Sequence, residues 1–533
     1  MKRGSVAFRA FWMLPLAAGA VLFGQAPGEE CATCHAKETA TYRKSRMGNS
    51  IAPPTPIDGG TIAREPRRLE ISITQRDGKM VHKMIENGLT AEYPVAYQIG
   101  AGKVGFTYLV RIGDYLYESP ASWYRTTGWD LSPGYEHMPG VDFDRLVDSG
   151  CMFCHADNGK FLGSDARKFS GEKLEPIGCD RCHGPVAAHL ADPSAKNIVN
   201  PAKLAGRARN SVCEQCHLEG VSRLLNPGKQ WSDYHAGGEL ERTAATYILS
   251  ENKQEISAVA QVDQLALSKC VNASGGKLWC ATCHDPHSET VDPSKEARSK
   301  QVQQICQGCH PAYGNTISKA THQNLTDCVS CHMPRLKPDD IPHTASTDHR
   351  IVRRPAPLVE GNAASAELTL WQDPPAEYRA RDMAVGALTI GGLKTLPVLR
   401  ADGARMLEAL PDKEKENDPV VLSSLVTVHL KDRDAEGAKK WALKAVKLQP
   451  DSAFASLNLA FALRDGHEEE AAEQQLLATI DLDPSLTQAW TNLTFLYEKQ
   501  KRDADRMALL DRFLKWNPQN IWFRQLKAIL ERP

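Results

Sequence analysis

Seven times in 533 residues the chain carries the pattern Cys-x-x-Cys-His. The seven sites are Cys31/Cys34/His35, Cys151/Cys154/His155, Cys179/Cys182/His183, Cys213/Cys216/His217, Cys280/Cys283/His284, Cys306/Cys309/His310 and Cys328/Cys331/His332. Such a run reads as a c-type haem attachment site. Two thiols three residues apart fall on one side of a helical turn, where both can add to vinyl groups of one porphyrin, and the histidine that follows is placed to bind the iron. A single match would be weak, because C-x-x-C also marks redox pairs and half zinc sites. Seven in one chain is another matter. Of 15 cysteines, 14 lie in the motifs, so an intrachain disulfide would have to take a thiol from a haem. Cys270, the one left over, is expected to be a buried free thiol. The expected cofactors are seven covalently bound c-type haems.

Between Cys31 and His332 the chain offers about 43 residues per haem, too few to give each cofactor its own protein core. The porphyrins themselves are therefore expected to form the core. Several motifs have a second histidine close by: His189 after Cys179–His183, His287 after Asp285-Pro286, and His322 six residues ahead of Cys328. A second ring nitrogen so near a covalent site can reach a neighbouring iron and staple successive haems together.

Two stretches resemble a known family. Tyr42-Arg43-Lys44-Ser45-Arg46-Met47 after the first motif resembles the cytochrome c-552/c-554 type of multihaem protein, in a subgroup with Met where relatives often have His. Cys179-Asp180-Arg181-Cys182-His183-Gly184-Pro185…His189 is similar to an element of the hydroxylamine oxidoreductase and cytochrome c-554 superfamily. The resemblance implies that Met47 is the distal ligand of the first haem. It also covers Trp123-Tyr124 and Trp129 to Tyr135, aromatic residues expected to pack against porphyrin faces.

Residues 1–26 read as a signal peptide, with Lys2, Arg3 and Arg9 ahead of an apolar run from Phe11 to Phe23 that is too short to span a bilayer. Export to a bacterial periplasm or outer cell surface follows as an expectation, with no transmembrane segment after signal cleavage. A net charge of −1 without a basic stripe gives no indication of a nucleic-acid partner.

The expected fold is mainly α. Residues 27–350 form a heptahaem cytochrome c domain, with a small inserted antiparallel sheet at about 68–120. There Leu69, Ile71 and Ile73 alternate with polar residues, Asp77-Gly78 signals a hairpin, and Met80, His82 and Met84 share a strand face. A Pro-rich linker occupies 351–375. An all-α tetratricopeptide-repeat solenoid covers 376–533, because Pro450, Pro484 and Pro518 recur at 34 residues and Ala438 and Ala472 hold the small helix-contact position. Such stacks are commonly scaffolds for protein docking.

Seven motif histidines leave seven opposite iron faces. The candidates outside the motifs are Met47, His82, His137, His189, His235, His287, His322, His343 and His349, with His82 read as a strand residue. Supply exceeds demand, which favours an electron-transfer protein with six-coordinate irons, serving a redox partner protein and a protein docked on the repeats. The alternative is a multihaem oxidoreductase acting on a small nitrogen or sulfur species at one open iron. The chain lacks the C-x-x-C-K motif of pentahaem nitrite reductases, and it has seven sites where hydroxylamine oxidoreductase has eight.

Overall fold

The computed structural model describes residues 29–532 apart from 66–67, 139, 158, 172, 250–258, 289–294, 311–327, 339, 342, 345 and 354–366, and omits the side chains of residues 295–300 and His137. The expected signal peptide, His322 and most of the expected linker lie outside the described residues.

Asp77 and Gly78 both take positive φ, 52° and 72°, and so do Asn87 and Gly88, at 51° and 81°. These are the conformations of a type I′ turn, whose twist matches the strands it joins. The turns link β3 (Leu69–Arg76), β4 (Lys79–Glu86) and β5 (Leu89–Ile99). Around them run β1 (Ile51–Ala52), β2 (Gly60–Arg64), β6 (Gly105–Ile112), β7 (Tyr115–Tyr124), β8 (Gly128–Leu131) and β9 (Arg145–Val147). The nine strands form one antiparallel sheet in the order β2-β3-β4-β5-β6-β7-β8, with β1 on β5 and β9 on β7. The sheet curls until its ends nearly meet: Trp129 Nε1 donates to the Asp58 carbonyl at 3.0 Å, and Arg64 of β2 pairs with Asp130 of β8.

This near-barrel overturns the mainly α expectation; the fold is α+β. The sheet reaches from Ile51 to Val147 because β1, β2, β8 and β9 have only two to five residues each, too short to register as a period-2 pattern. It also has a core of its own. Ile71, Met84, Tyr108, Val110 and Tyr135 are fully buried in one cluster, so the porphyrins are not the whole interior. The aromatic run expected against porphyrin faces belongs here: Trp123 pairs with Phe106 at 5.7 Å between ring centres, and Trp129 closes the seam.

Farther along, Ser222–Leu225, Ala244–Leu249 and Leu368–Leu370 make a second antiparallel sheet. Leu368–Leu370 falls in the expected linker and is a strand because it can complete an edge of Ala244–Leu249. Helices Arg379–Leu393 and Pro397–Glu408 follow; a side chain on Gly403 would collide with the Leu388 backbone, so glycine permits their close crossing. Helices then begin at Pro419, Ala453, Thr487 and Ile521, 34 residues apart, alternating with Ala435–Leu448, Glu469–Leu482 and Asp503–Trp516. Ala438 and Ala472 are fully buried where paired helices touch.

The repeats are not a separate body. Arg381 donates to the Leu225 carbonyl at 3.0 Å, and the Tyr247 hydroxyl to the Asp382 carbonyl at 2.7 Å. The loops between repeats then grip the remainder in turn. Ser164 donates to Asp451, Arg167 pairs with Asp483 and Ser485, and Asn517 and Gln519 bind Tyr93 and Glu92 of β5. No helix among the described residues is long and apolar enough to cross a membrane.

Candidate functional site

Each motif sits on a helical turn. The amides of His35, His183, His284 and His310 donate to the carbonyls of Cys31, Cys179, Cys280 and Cys306 at 2.7 to 3.0 Å. The other three motifs lie within helices Ser149–His155, Gly206–His217 and Cys328–His332. Asp148 caps the first of these helices, accepting from the Cys151 amide at 3.1 Å. All 15 cysteines are free, and Cys270 is half-buried rather than buried.

The motif thiols do not share one environment. Cys34, Cys283, Cys309 and Cys331, the second cysteines of motifs one, five, six and seven, are exposed, and so is Cys151 of motif two. Cys31, Cys154, Cys179, Cys182, Cys213, Cys216, Cys280, Cys306 and Cys328 are half-buried. An exposed thiol is one that a porphyrin vinyl group can reach.

Three motif imidazoles face a second imidazole. His35 and His189 lie 6.4 Å apart between ring centres at 27°, His183 and His287 5.9 Å apart at 22°, and His284 and His349 6.2 Å apart at 23°. Two metal–imidazole bonds of about 2 Å, with half a ring on either side, span about 6 Å. The pairs therefore fit a metal held between them.

The hydrogen bonds behind these rings fit the same role. Nδ1 donates to a carbonyl in His183 (Val199, 2.8 Å), His189 (Ser194, 3.0 Å), His332 (Val352, 2.7 Å) and His349 (Thr347, 2.8 Å). In His217 it donates to the Gln261 side chain at 3.1 Å. A proton fixed on Nδ1 leaves the lone pair on Nε2, the tautomer that ligates through Nε2 and is stiffened by its outer partner.

Other expected ligands are placed differently. His343 turns its Nε2 to Asp130 at 2.7 Å and packs its ring against Tyr124, at the barrel seam. Met47 starts the turn Met47–Asn49 and is half-buried, while the ring opposite His35 is that of His189. His235 is exposed and its ring meets no motif histidine among the described residues. The side chain of His137 lies outside what is described, as does His322. The His155 imidazole has no ring or hydrogen-bond partner among the described residues.

Sequence reasoning missed the residues between the cysteines. Phe153, Arg181 and Gln215 hold three motifs together, beside a buried Tyr234. Variable positions of a motif carry no pattern, so no sequence signal marked them. Arg223 belongs with this group, donating to the carbonyls of Glu214 and Gln215 at 2.8 and 2.7 Å. Burial, and then the adjoining Asp180, pushes the nearby Asp157 carboxyl up to about 7.

A family model described as the doubled CXXCH motif matches residues 272–315, which hold motifs five and six. The chain is 23% identical over 372 residues to the dissimilatory sulfite reductase MccA of Wolinella succinogenes, covering 57% of this chain and 50% of that protein. It thus spans about half the length of this relative. Among solved structures, the tetratricopeptide-repeat protein YrrB, titled as having an unusual peptide-binding site, is 18% identical over 29% of this chain and 76% of that one, with a TM-score of 0.24. MamA is 20% identical over 26% of this chain and 82% of its own, with a TM-score of 0.23. Scores this low bear on neither fold nor function. The recurring motifs, their helical-turn geometry, the match to the doubled motif and the helix pairs at a 34-residue interval mark the chain as a multihaem c-type cytochrome with tetratricopeptide-like repeats.

Proposed function

We propose that this is an exported heptahaem cytochrome whose haems form an electron relay. The observation that carries the proposal is the set of three imidazole pairs at metal-bridging separation. In this reading His189, His287 and His349 are the distal ligands of the first, third and fifth haems, and His189 takes the role expected of Met47. Six-coordinate haem iron supplies reversible one-electron chemistry. The chain's part is to hold two imidazoles on each iron, fix their tautomers and keep small molecules off.

The pairing implies an order in space. His183 and His189 are six residues apart and serve haems three and one; His284 and His287 serve haems five and three. His349 serves haem five, and Val352, three residues on, accepts from the His332 ring of motif seven. The odd-numbered haems thus form one row, each stapled to the next by a short peptide. The test is EPR of the oxidised protein with a pyridine haemochrome count: seven haems and low-spin signals from the three pairs are expected. A count below six, or high-spin iron at all three, overturns the relay.

A second reading has its own support. His155 faces no second ring among the described residues, and the chain is similar to a dissimilatory sulfite reductase. The haem of motif two would then be the open site of an oxidoreductase for a small sulfur or nitrogen species. Carbon monoxide binding to a single reduced haem, lost in His155→Ala, with turnover of sulfite by the chemically reduced protein, supports this reading. Absence of both leaves the plain relay.

A partner protein has the face of the repeats that the barrel leaves uncovered, so docking and internal clamping are compatible.

A further inference from the structure

The residue before the second cysteine is unconstrained in each motif, yet those of motifs two, three and four meet. The Arg181 guanidinium lies over the Phe153 ring, 4.3 Å from its centre, and Nη2 donates to the Phe153 carbonyl at 2.6 Å. Gln215 Nε2 donates to the Arg181 carbonyl at 3.0 Å, and Cys154 Sγ lies 3.6 Å from the Gln215 carbonyl. Tyr234, 4% exposed, closes the cluster against Phe153 and Leu240. Burial pushes its phenol up.

Each variable pair lies between the two thiols that carry one porphyrin's vinyl edge. Three such loops in contact therefore bring three thioether edges together. Two cations stand at this meeting point. Arg223 is committed to the last carbonyls of helix Gly206–His217. Arg181 pairs with an acid instead: its Nε is buried without a hydrogen bond among the described residues and lies 3.9 Å from the Asp157 carboxylate.

We propose that this cluster is an electron junction, where the haems of motifs two, three and four exchange electrons across their thioether edges and Arg181 favours their reduced forms. The proposal rests on the reading that each motif carries a haem. Reduction adds one negative charge to a haem, and a guanidinium in a low-dielectric interior stabilises that charge more strongly than it would in water. One electron moves, the donor haem is oxidised as the acceptor is reduced, and no bond is made or broken. Motif three belongs to the odd-numbered row, so electrons leaving the row for motif two pass this point.

The test is a spectroelectrochemical titration of the haem-loaded full chain, comparing wild type with Arg181→Gln and Arg181→Lys. In the Gln variant at least two midpoint potentials fall together, each by about tenfold in the reduction equilibrium, or about 59 mV for a one-electron couple. Lys restores most of the shift. Unmoved potentials, or a single one moving, overturn the junction. Should Arg181→Gln fail to load haem, EPR of the partly reduced wild type decides. Signals broadened by mutual coupling among three haems support the junction, whereas seven independent signals refute it. A wild-type haem count below six counts instead against the haem reading itself.

Discussion

The Tyr93 hydroxyl donates to Asn517 Oδ1 at 2.6 Å, tying a barrel strand to a repeat loop 424 residues away. Both groups are buried, so each satisfies a polar atom that would otherwise be stranded. Tyr93→Phe and Asn517→Ala are each expected to cost about 1–3 kcal/mol, and the double variant much less than the sum. Denaturant melts of the four proteins measure the coupling; strictly additive losses would show that the bond is incidental. Removing residues 376–533 uncovers this contact and those of Arg167 and Tyr247 together, so the truncated protein should be proteolysed far faster than the full chain.

The barrel has a core without porphyrin, centred on Ile71, Met84 and Tyr108. Protein made without haem maturation should therefore keep a cooperative β-type melt followed by circular dichroism. Ile71→Ala should weaken that melt by about 2–5 kcal/mol, the usual cost of emptying a filled site. A featureless thermal baseline for the unloaded protein contradicts this.

Histidine placement separates ligand from clasp. His189→Ala should convert one low-spin haem in seven to high-spin and open it to carbon monoxide, while Met47→Leu leaves the spectrum unchanged. His343→Ala should alter no haem signal but should loosen the barrel seam, where its ring holds Asp130. A spin change in the His343 variant would return that residue to the ligand set.

The His82 imidazole is fully buried, with Nδ1 2.7 Å from the Ser119 hydroxyl. Its Nε2 has no hydrogen bond among the described residues, while the Tyr108 and Trp129 rings stand edge-on to it at 5.0 and 5.5 Å. Burial lowers its pKa to about 3. The unfolded chain takes up a proton below pH about 6.5 that the folded imidazole refuses. Its contribution is thus intact above pH 6.5 and is lost as pH falls towards 3, by about 1.4 kcal/mol per pH unit. Glu118, raised to about 7 by burial, acts in the opposite direction, so the measurement is the difference between wild type and His82→Gln at pH 4 to 7. A pH-independent difference would mean that the ring is protonated in place.

What could be read in advance was whatever local chemistry dictates. The C-x-x-C-H turns, the Asp77-Gly78 hairpin and the recurrence of Pro450, Pro484 and Pro518 each impose a backbone shape within a few residues. The extent of the sheet was hidden because β8 and β9 exist only as partners of β7, through pairings such as Trp123 with Trp129. The contact of His343 with Asp130 was hidden for a similar reason, since nothing near it in the sequence announces that partner. Counting histidines measured supply, but only the hydrogen bond on each ring decides which nitrogen is left for a metal.

Repeat arrays ordinarily change length by gaining or losing whole units, since each unit touches only its neighbours. Here Asp451, Ser485 and Gln519 occupy the same place in successive repeats, and each meets a different address: Ser164, Arg167 and Glu92. Duplicating one repeat in the middle would deliver every later residue to the wrong address. Natural length variants of this protein should therefore add or drop helices only beyond the gripped loops, and the barrel with the segment after it acts as a ruler that fixes the copy number between them.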